Sequence, residues 1–449
     1  MKKKSMLKEE ILNPDQIMTP YQGQDINPDL TFDLPWLLNA IQEAAKTGIC
    51  EDGTYWRASY TPEDKAVVQL LDTYMKEAGM ETFFDAVGNL HGVLKGRSDY
   101  TVMTGSHRDT VRGGGKYDGI LGILAGICAA GGLYQEYGKP EHSLEVVATV
   151  EEESSRFTAS NYIGSCNLAG IMPASAFAIT DADGITIQDA AVAAGYQGMP
   201  PDKIRKDILH FVELHIEQGG VLEAEKKQIG IVTSIVGQWG GSVIFYGKQN
   251  HAGTTPMKMR RDPVPVMTAF IHDIFRRVKP HEEEMVATIG KIELKPGNAN
   301  VIPEQASFTF DIRSASDVLG SRAMQMLEEL KEKYSKDVTI EIVPAWEDTP
   351  ILLDGEGIRE IEELCKVNGL QYKIMTSGAG HDSQNMAQSY PTNVIFVPSE
   401  GGISHDEREF TKPEDLDAGL TILSSYLKKL CWDGDVARRM PEAEESVSV

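Results

Sequence analysis

Gly105-Ser106-His107-Arg108-Asp109-Thr110, followed by Gly113-Gly114-Gly115-Lys116-Tyr117-Asp118-Gly119, decides how the chain is read. The run 100–103 before it is short, β-branched and apolar, and predicts a buried strand. His107 and Asp109 then stand where a strand ends, on one side of it, because side chains two residues apart share a face. Asp118 follows in a glycine-rich loop, and residues 120–134, apolar with small residues, predict a buried helix. A histidine at a strand end and an aspartate at a helix start suit a metal ion. A glycine-rich loop with ordinary turn aspartates is the plainer alternative.

At 449 residues the chain has room for two or three domains, and an apolar fraction of 41% is enough for real cores. Lys and Arg number 43 against 67 Asp and Glu, a net charge of −24. That balance argues against nucleic acid and anionic membranes as partners. It reads as a solvated acidic surface and does not by itself imply a cationic substrate. Cys50, Cys128, Cys166, Cys365 and Cys431 are scattered, with no Cys-x-x-Cys pair. Reduced thiols and a cytoplasmic setting are expected. Lys2-Lys3-Lys4 leads into Ser5, Met6 and charged residues, so no signal peptide is expected. No uncharged apolar segment reads as long enough to span a membrane.

Residues 1–35 are polar and proline-dotted and read as an extended arm. Helices are predicted over 34–45 and 61–78, the second opened by Thr61-Pro62-Glu63. Strands follow at 80–85 and 88–94. The apolar strand 144–150 runs into Glu151-Glu152-Glu153, three carboxylates that are costly to bury together without a cation. Strand 207–216 ends near His215 and the turn Glu217-Gln218-Gly219-Gly220. Apolar strands ending in ligand-type residues fit the rule that open α/β sheets bind at the carboxyl ends of their strands. From about Thr233 the character changes. Strands at 242–246, 285–294, 307–313 and 338–343, with helices at 262–278 and 319–333, predict a small inserted α+β sandwich. A helix at 357–368, strands at 372–376 and 392–397, and a last helix at 412–430 complete the main domain, before a polar tail from Asp433.

Eight motifs stand in order: Gly-Ser-His-Arg-Asp-Thr-Val, Tyr-Asp-Gly, Glu-Glu-Glu-Ser-Ser-Arg-Phe, Glu-Leu-His-Ile-Glu-Gln-Gly, His-Ala-Gly-Thr-Thr-Pro-Met, Asn-Val-Ile-Pro, Gly-Ala-Gly-His-Asp and Gly-Ile-Ser-His. Together they resemble the amidase/hydantoinase/carbamoylase branch of the aminoacylase and zinc-carboxypeptidase superfamily, over residues 34–430. The resemblance implies a metal set of His107, Asp118 as bridge, Glu153, His215 and His405. It implies Glu152 as general base and Asp109 as the carboxylate that orients His107. Gln218, Asn300 and Arg313 match substrate positions. His251 matches a histidine that reaches the substrate across a dimer interface and stabilises the oxyanion. His381 and Asp382 are expected as structural or substrate-loop residues and not as ligands. Arg108, Arg112, Ser154, Gly220 and Trp239 depart from the pattern of the relatives; family drift or a substrate with an extra anionic group would account for them.

The expected architecture is α/β. A catalytic domain with a mixed sheet flanked by helices spans 1–232 and 347–449, and an inserted α+β lid and dimerisation domain spans 233–346. The expected protein is a cytoplasmic homodimer holding two divalent ions, Zn, Mn, Co or Ni. The expected reaction is hydrolysis of a linear C–N bond in a small ureide or carbamoyl amino acid, such as an N-carbamoyl-L-amino acid or an allantoate-like substrate, by a metal-activated water. A metallopeptidase or N-acyl amino-acid deacylase on the same site is the nearest alternative, and a catalytically silent binding protein the more distant one.

Overall fold

Local chemistry starts the first helices where the sequence predicts them. In the helix Leu34–Lys46 the Asp33 side chain accepts from the Trp36 N–H, and Leu37, Ala40, Ile41 and Ala44 form the buried face. Thr61 accepts from the Asp64 N–H at the start of Pro62–Glu77, with Glu63 and Asp64 in the first turn. The computed structural model describes residues 26–160, 162–197, 204–336 and 338–434. Most of the expected arm over 1–35 and of the polar tail lies outside these.

In chain order the strands are β1 (Glu81–Phe84), β2 (Leu90–Leu94), β3 (Thr101–His107), β4 (Ser143–Thr149), β5 (Ile208–Ile216), β6 (Ile229–Ile235), β7 (Gly237–Tyr246), β8 (Asn250–His251), β9 (Met285–Thr288), β10 (Ile292–Lys295), β11 (Val301–Ile302), β12 (Gln305–Ser314), β13 (Thr339–Asp348), β14 (Ile351–Leu352), β15 (Tyr372–Ser377) and β16 (Thr392–Val397). The chain divides into two compact units. The first is 1–233, 353–375 and 381–449; the second is 234–352 and 376–380. β13 continues to Asp348, and β14 pairs antiparallel with Ser234 and Ile235 at the end of β6.

The larger sheet is mixed and runs in the order β1-β2-β4-β3-β5-β16-β6-β14, with β15 also along β6. The middle strands β4, β3, β5 and β16 are mutually parallel, and β2 and β6 flank them antiparallel. β3, β4, β5 and β16 are buried along their whole length, as parallel strands covered on both faces are. The helix Ile120–Tyr137 is apolar over most of its length and buried from Ile120 to Gly131 and at Leu133. By length and composition it could cross a membrane, with Glu136 ending its uncharged run; here it is the core helix of the first unit, with 72% of it buried. Its glycines set the spacing to the sheet. A Cβ at Gly122 would lie 2.5 Å from the Leu214 carbonyl oxygen, so only glycine lets the helix lie this close to β5.

The second unit holds an antiparallel sheet ordered β10-β12-β7-β13, with β9 also on β12. β12 alternates strictly, burying Ala306, Phe308, Phe310, Ile312 and Ser314. The helices Pro263–Val278 and Asp317–Tyr334 pack on that buried face through Phe270, Ile274, Leu327 and Leu330. The single strand expected at 285–294 is two: β9 pairs with Asp311–Ser314 and β10 with Gln305–Phe308, with a break at 289–291. Trp239 is fully buried in this core, with Gly320 against its ring.

Candidate metal centre

Four adjacent parallel strands deliver the ligands from their carboxyl ends. β3 ends at His107, level with Thr149 at the end of β4, and β4 leads to Glu152 and Glu153. His215 is the penultimate residue of β5, level with Phe396 of β16, beyond which the chain reaches His405. Asp118 enters from the loop before the helix Ile120–Tyr137. Gly119, at φ +67°, lets that loop pass over the His107 ring, which a Cβ there would meet at 2.4 Å.

These side chains form two clusters that share Asp118. Asp118 Oδ1 lies 3.3 Å from His107 Nε2 and 3.2 Å from His215 Nε2. Asp118 Oδ2 lies 3.4 Å from His405 Nε2, which is 3.2 Å from Glu153 Oε1. Both groups have the spacing of metal ligands. Glu152 is 8% exposed and stands beside them, with Oε2 3.9 Å from His107 Nε2.

The tautomers test whether a cation fits. His107 Nδ1 is 3.1 Å from the Asp109 carbonyl oxygen and His215 Nδ1 is 2.9 Å from the Ile216 carbonyl oxygen. A carbonyl only accepts, so each Nδ1 is the donor and each neutral ring presents its lone pair at Nε2, that of His215 also accepting the Gly119 N–H at 3.3 Å. Those two lone pairs face each other across 3.5 Å, and Asp118 Oδ1 is buried with no hydrogen-bond donor. Two imidazole lone pairs and a carboxylate oxygen converging in a buried space fit a divalent cation.

Electrostatics agree. Burial drives the Glu152 carboxyl well above its usual range; the His107 ring opposes this, while Glu153, Asp382 and Asp109 add to it.

Asp109 acts differently from the expectation. Its carboxylate is 3.9 Å from His107 Nδ1, and its main-chain carbonyl does the orienting. The carboxylate instead accepts the N–H groups of Glu152 (3.1 Å) and Glu153 (3.2 Å), fixing the turn that carries base and ligand. Glu151, in the left-handed region at φ 58°, turns away and accepts from Ser155, Phe157 and Ser160.

Gln218 donates to Asp118 Oδ2 at 2.9 Å. His381 and Asp382 are both buried at the centre's edge; the His381 ring lies 4.6 Å from that of His215, and Asp382 accepts from the Thr149 hydroxyl. Arg108 is wholly buried, paired with Asp64 and donating to the Gly88 and Ala148 carbonyls, so it braces the sheet and meets no substrate. Arg112 is exposed and paired with Asp52.

The second unit holds the other expected residues. His251 pairs in register with Val301, and its Nδ1 accepts from Gly253 and Thr254. The Asn300 carbonyl accepts from Ala252. Arg313 is held by Asp311 at 2.9 Å and donates to the Gly378 carbonyl. Glu213, which the sequence reading passed over, is fully buried and accepts from Ser106 and from Ser383. Its signal was its place two residues before His215, on the same face of β5.

Residues 98–429 match the model of peptidase family M20/M25/M40. The chain belongs to this family. Within it the chain lies in the hydantoinase/carbamoylase amidase branch. It is 40% identical to the allantoate amidohydrolase of Escherichia coli over 89% of this chain and 97% of the relative. It is 34% identical to an N-carbamoyl-L-amino acid amidohydrolase of Geobacillus stearothermophilus over 86% and 96%. A crystal structure of a hydantoinase/carbamoylase family amidase from Burkholderia multivorans superposes with a TM-score of 0.82 at 32% identity, covering 93% of this chain and all of that one. This M20-family chain is an amidohydrolase of non-peptide C–N bonds with candidate His, Asp and Glu metal sites.

Proposed function

We propose that the chain hydrolyses the linear C–N bond of a ureido or carbamoyl group, with an allantoate-type ureide as the first candidate substrate and N-carbamoyl-L-amino acids as the second. The observation that carries the reading is Asp118, whose two carboxylate oxygens each face a separate ligand cluster, with Glu152 alongside. In this reading His107, His215 and Asp118 Oδ1 hold one divalent ion, and Glu153, His405 and Asp118 Oδ2 a second, drawn from Zn, Mn, Co or Ni. Such ions lower the pKa of water and polarise a carbonyl.

The chain's own residues do the rest. Glu152, on a turn pinned by Asp109, takes the proton of the attacking water and passes it to the leaving nitrogen. Gln218, Asn300 and Arg313 bind the substrate, Arg313 pairing with a carboxylate, and His251 stabilises the developing oxyanion. The identity with allantoate amidohydrolases, 40% and 38%, against 34% and below for the carbamoylases, supports the order of candidates. The homodimer belongs to the same proposal; light scattering at the mass of one chain would remove it.

The test is ammonia release from allantoate, ureidoglycolate, N-carbamoyl-β-alanine and several N-carbamoyl-L-amino acids, with added Mn²⁺ or Zn²⁺ and Glu152→Gln as the blank. Turnover of a ureide that is lost in the variant is expected. Turnover confined to N-acetyl amino acids or dipeptides, read by amine release, would overturn the proposal.

A further inference from the structure

Behind the metal ligands lies a carboxylate that neither the motifs nor the proposed reaction uses. Glu409 is 4% exposed and sits in the loop that carries His405, its N–H closing a turn onto the Asp406 carbonyl. Its Oε1 accepts two main-chain N–H groups, from Tyr117 at 2.8 Å and from Asp118 at 3.1 Å. Its Oε2 lies 3.1 Å from Ser404 Oγ, which is also 3.1 Å from Asp118 Oδ2. Room for the carboxylate comes from Gly115, where a Cβ would stand 2.0 Å from Glu409 Oε1 and 2.5 Å from Glu409 Cβ.

We propose that Glu409 is a positioning residue for the metal centre, tying the main chain of Asp118 to the loop of His405 so that both Asp118 oxygens stay aimed at their clusters. Asp118 comes from the loop before the helix Ile120–Tyr137, and His405 follows the last strand of the sheet. Among the described residues no strand pairing joins the two loops directly. The Glu409 carboxylate does, with one oxygen on the Asp118 loop and the other on the Ser404 hydroxyl next to His405. Losing it leaves two buried N–H groups without an acceptor and frees the aspartate common to both clusters.

The inference rests on the metal-centre reading, and the test separates the two. Metal-free protein is titrated with Zn²⁺ and with Mn²⁺ against a chromophoric chelator, and thermal unfolding of the metal-free form is recorded in parallel. Glu409→Ala is expected to weaken metal binding about 10–100-fold, the usual cost of losing an outer support of a metal site. Glu409→Gln keeps an amide oxygen for the same two N–H groups and is expected to stay near the wild type. Should Glu409→Ala fail to fold, Gly115→Ala, whose new methyl group displaces the carboxylate, is expected to weaken binding in the same way. Wild-type protein that binds no metal would overturn the metal-centre reading itself. Wild-type binding with equal affinity in Glu409→Ala or Gly115→Ala would overturn the positioning role alone. So would Glu409→Gln falling as far as Glu409→Ala.

Discussion

His107 Nε2 and His215 Nε2 face each other across 3.5 Å, each ring held by a carbonyl oxygen at its Nδ1. The rings are oriented in advance for something positive between them. Removing metal from the protein is therefore expected to destabilise it. Saturation at about 100 Kd contributes about 2.7 kcal/mol, so chelation should lower the melting temperature and Zn²⁺ or Mn²⁺ should restore it. Identical calorimetric traces with and without chelator would contradict this.

Asp109 offers a sharper test of what a carboxylate near the ligands does. Its two oxygens take the Glu152 and Glu153 N–H groups. Asp109→Asn replaces one acceptor with an NH₂ group that faces an N–H. We expect kcat to fall about 10–100-fold and stability to drop by about 1–3 kcal/mol. The loss should appear in the metal-free protein as well, since the hydrogen bonds are internal; wild-type stability there would refute the assignment.

A pH dependence follows from a group far along the sheet. His91 is buried, with Nδ1 2.6 Å from Glu145 Oε1 and Nε2 3.7 Å from Asp85 Oδ2, while Arg205 pairs with the same Glu145. Burial disfavours the charged ring, but Asp85 and Glu145 win and raise its pKa from 6.5 to about 9. A raised pKa contributes stability that is complete below pH 6.5 and is lost as pH climbs through about 9. Roughly 3 kcal/mol is at stake. Denaturant unfolding at pH 6, 7.5 and 9 should show the decline, and His91→Gln should flatten it. An unchanged slope in the variant would assign the decline to other groups.

Arg313 tests the substrate side. Asp311 already holds its guanidinium flat. Arg313→Lys keeps the charge but loses the fork. We expect KM for a carboxylate-bearing ureide to rise roughly ten- to a hundredfold, with a smaller change in kcat. An unaltered KM would remove Arg313 from the binding residues.

Much of this centre was legible because its donors sit where apolar strands stop. The runs ending at His107, at Glu152 and Glu153, and near His215 announce themselves by hydrophobicity followed by abrupt polarity. β6 was not legible: the short run Ile229–Ile235 follows two lysines, and the change of character from Thr233 masked it. The break between β9 and β10 was hidden because residues on either side read as one β-branched stretch. Asp109 was read from its spacing to His107, which is correct for shared facing. Spacing cannot say whether carboxylate or carbonyl meets the ring. Glu409 left no periodic trace, since loop residues find their partners only after the strands have brought distant segments together.

β16 is the last strand among the described residues, yet it lies inside the sheet, between β5 and β6. A chain emerging from the ribosome has therefore made β5, β6 and the whole second unit before the strand that joins β5 to β6 exists. Until Thr392–Val397 arrives, β5 and β6 each present an open edge, the kind of surface that pairs with other chains. Truncations that stop short of residue 392 should accumulate as aggregates and not as inactive monomers, whatever metal is supplied.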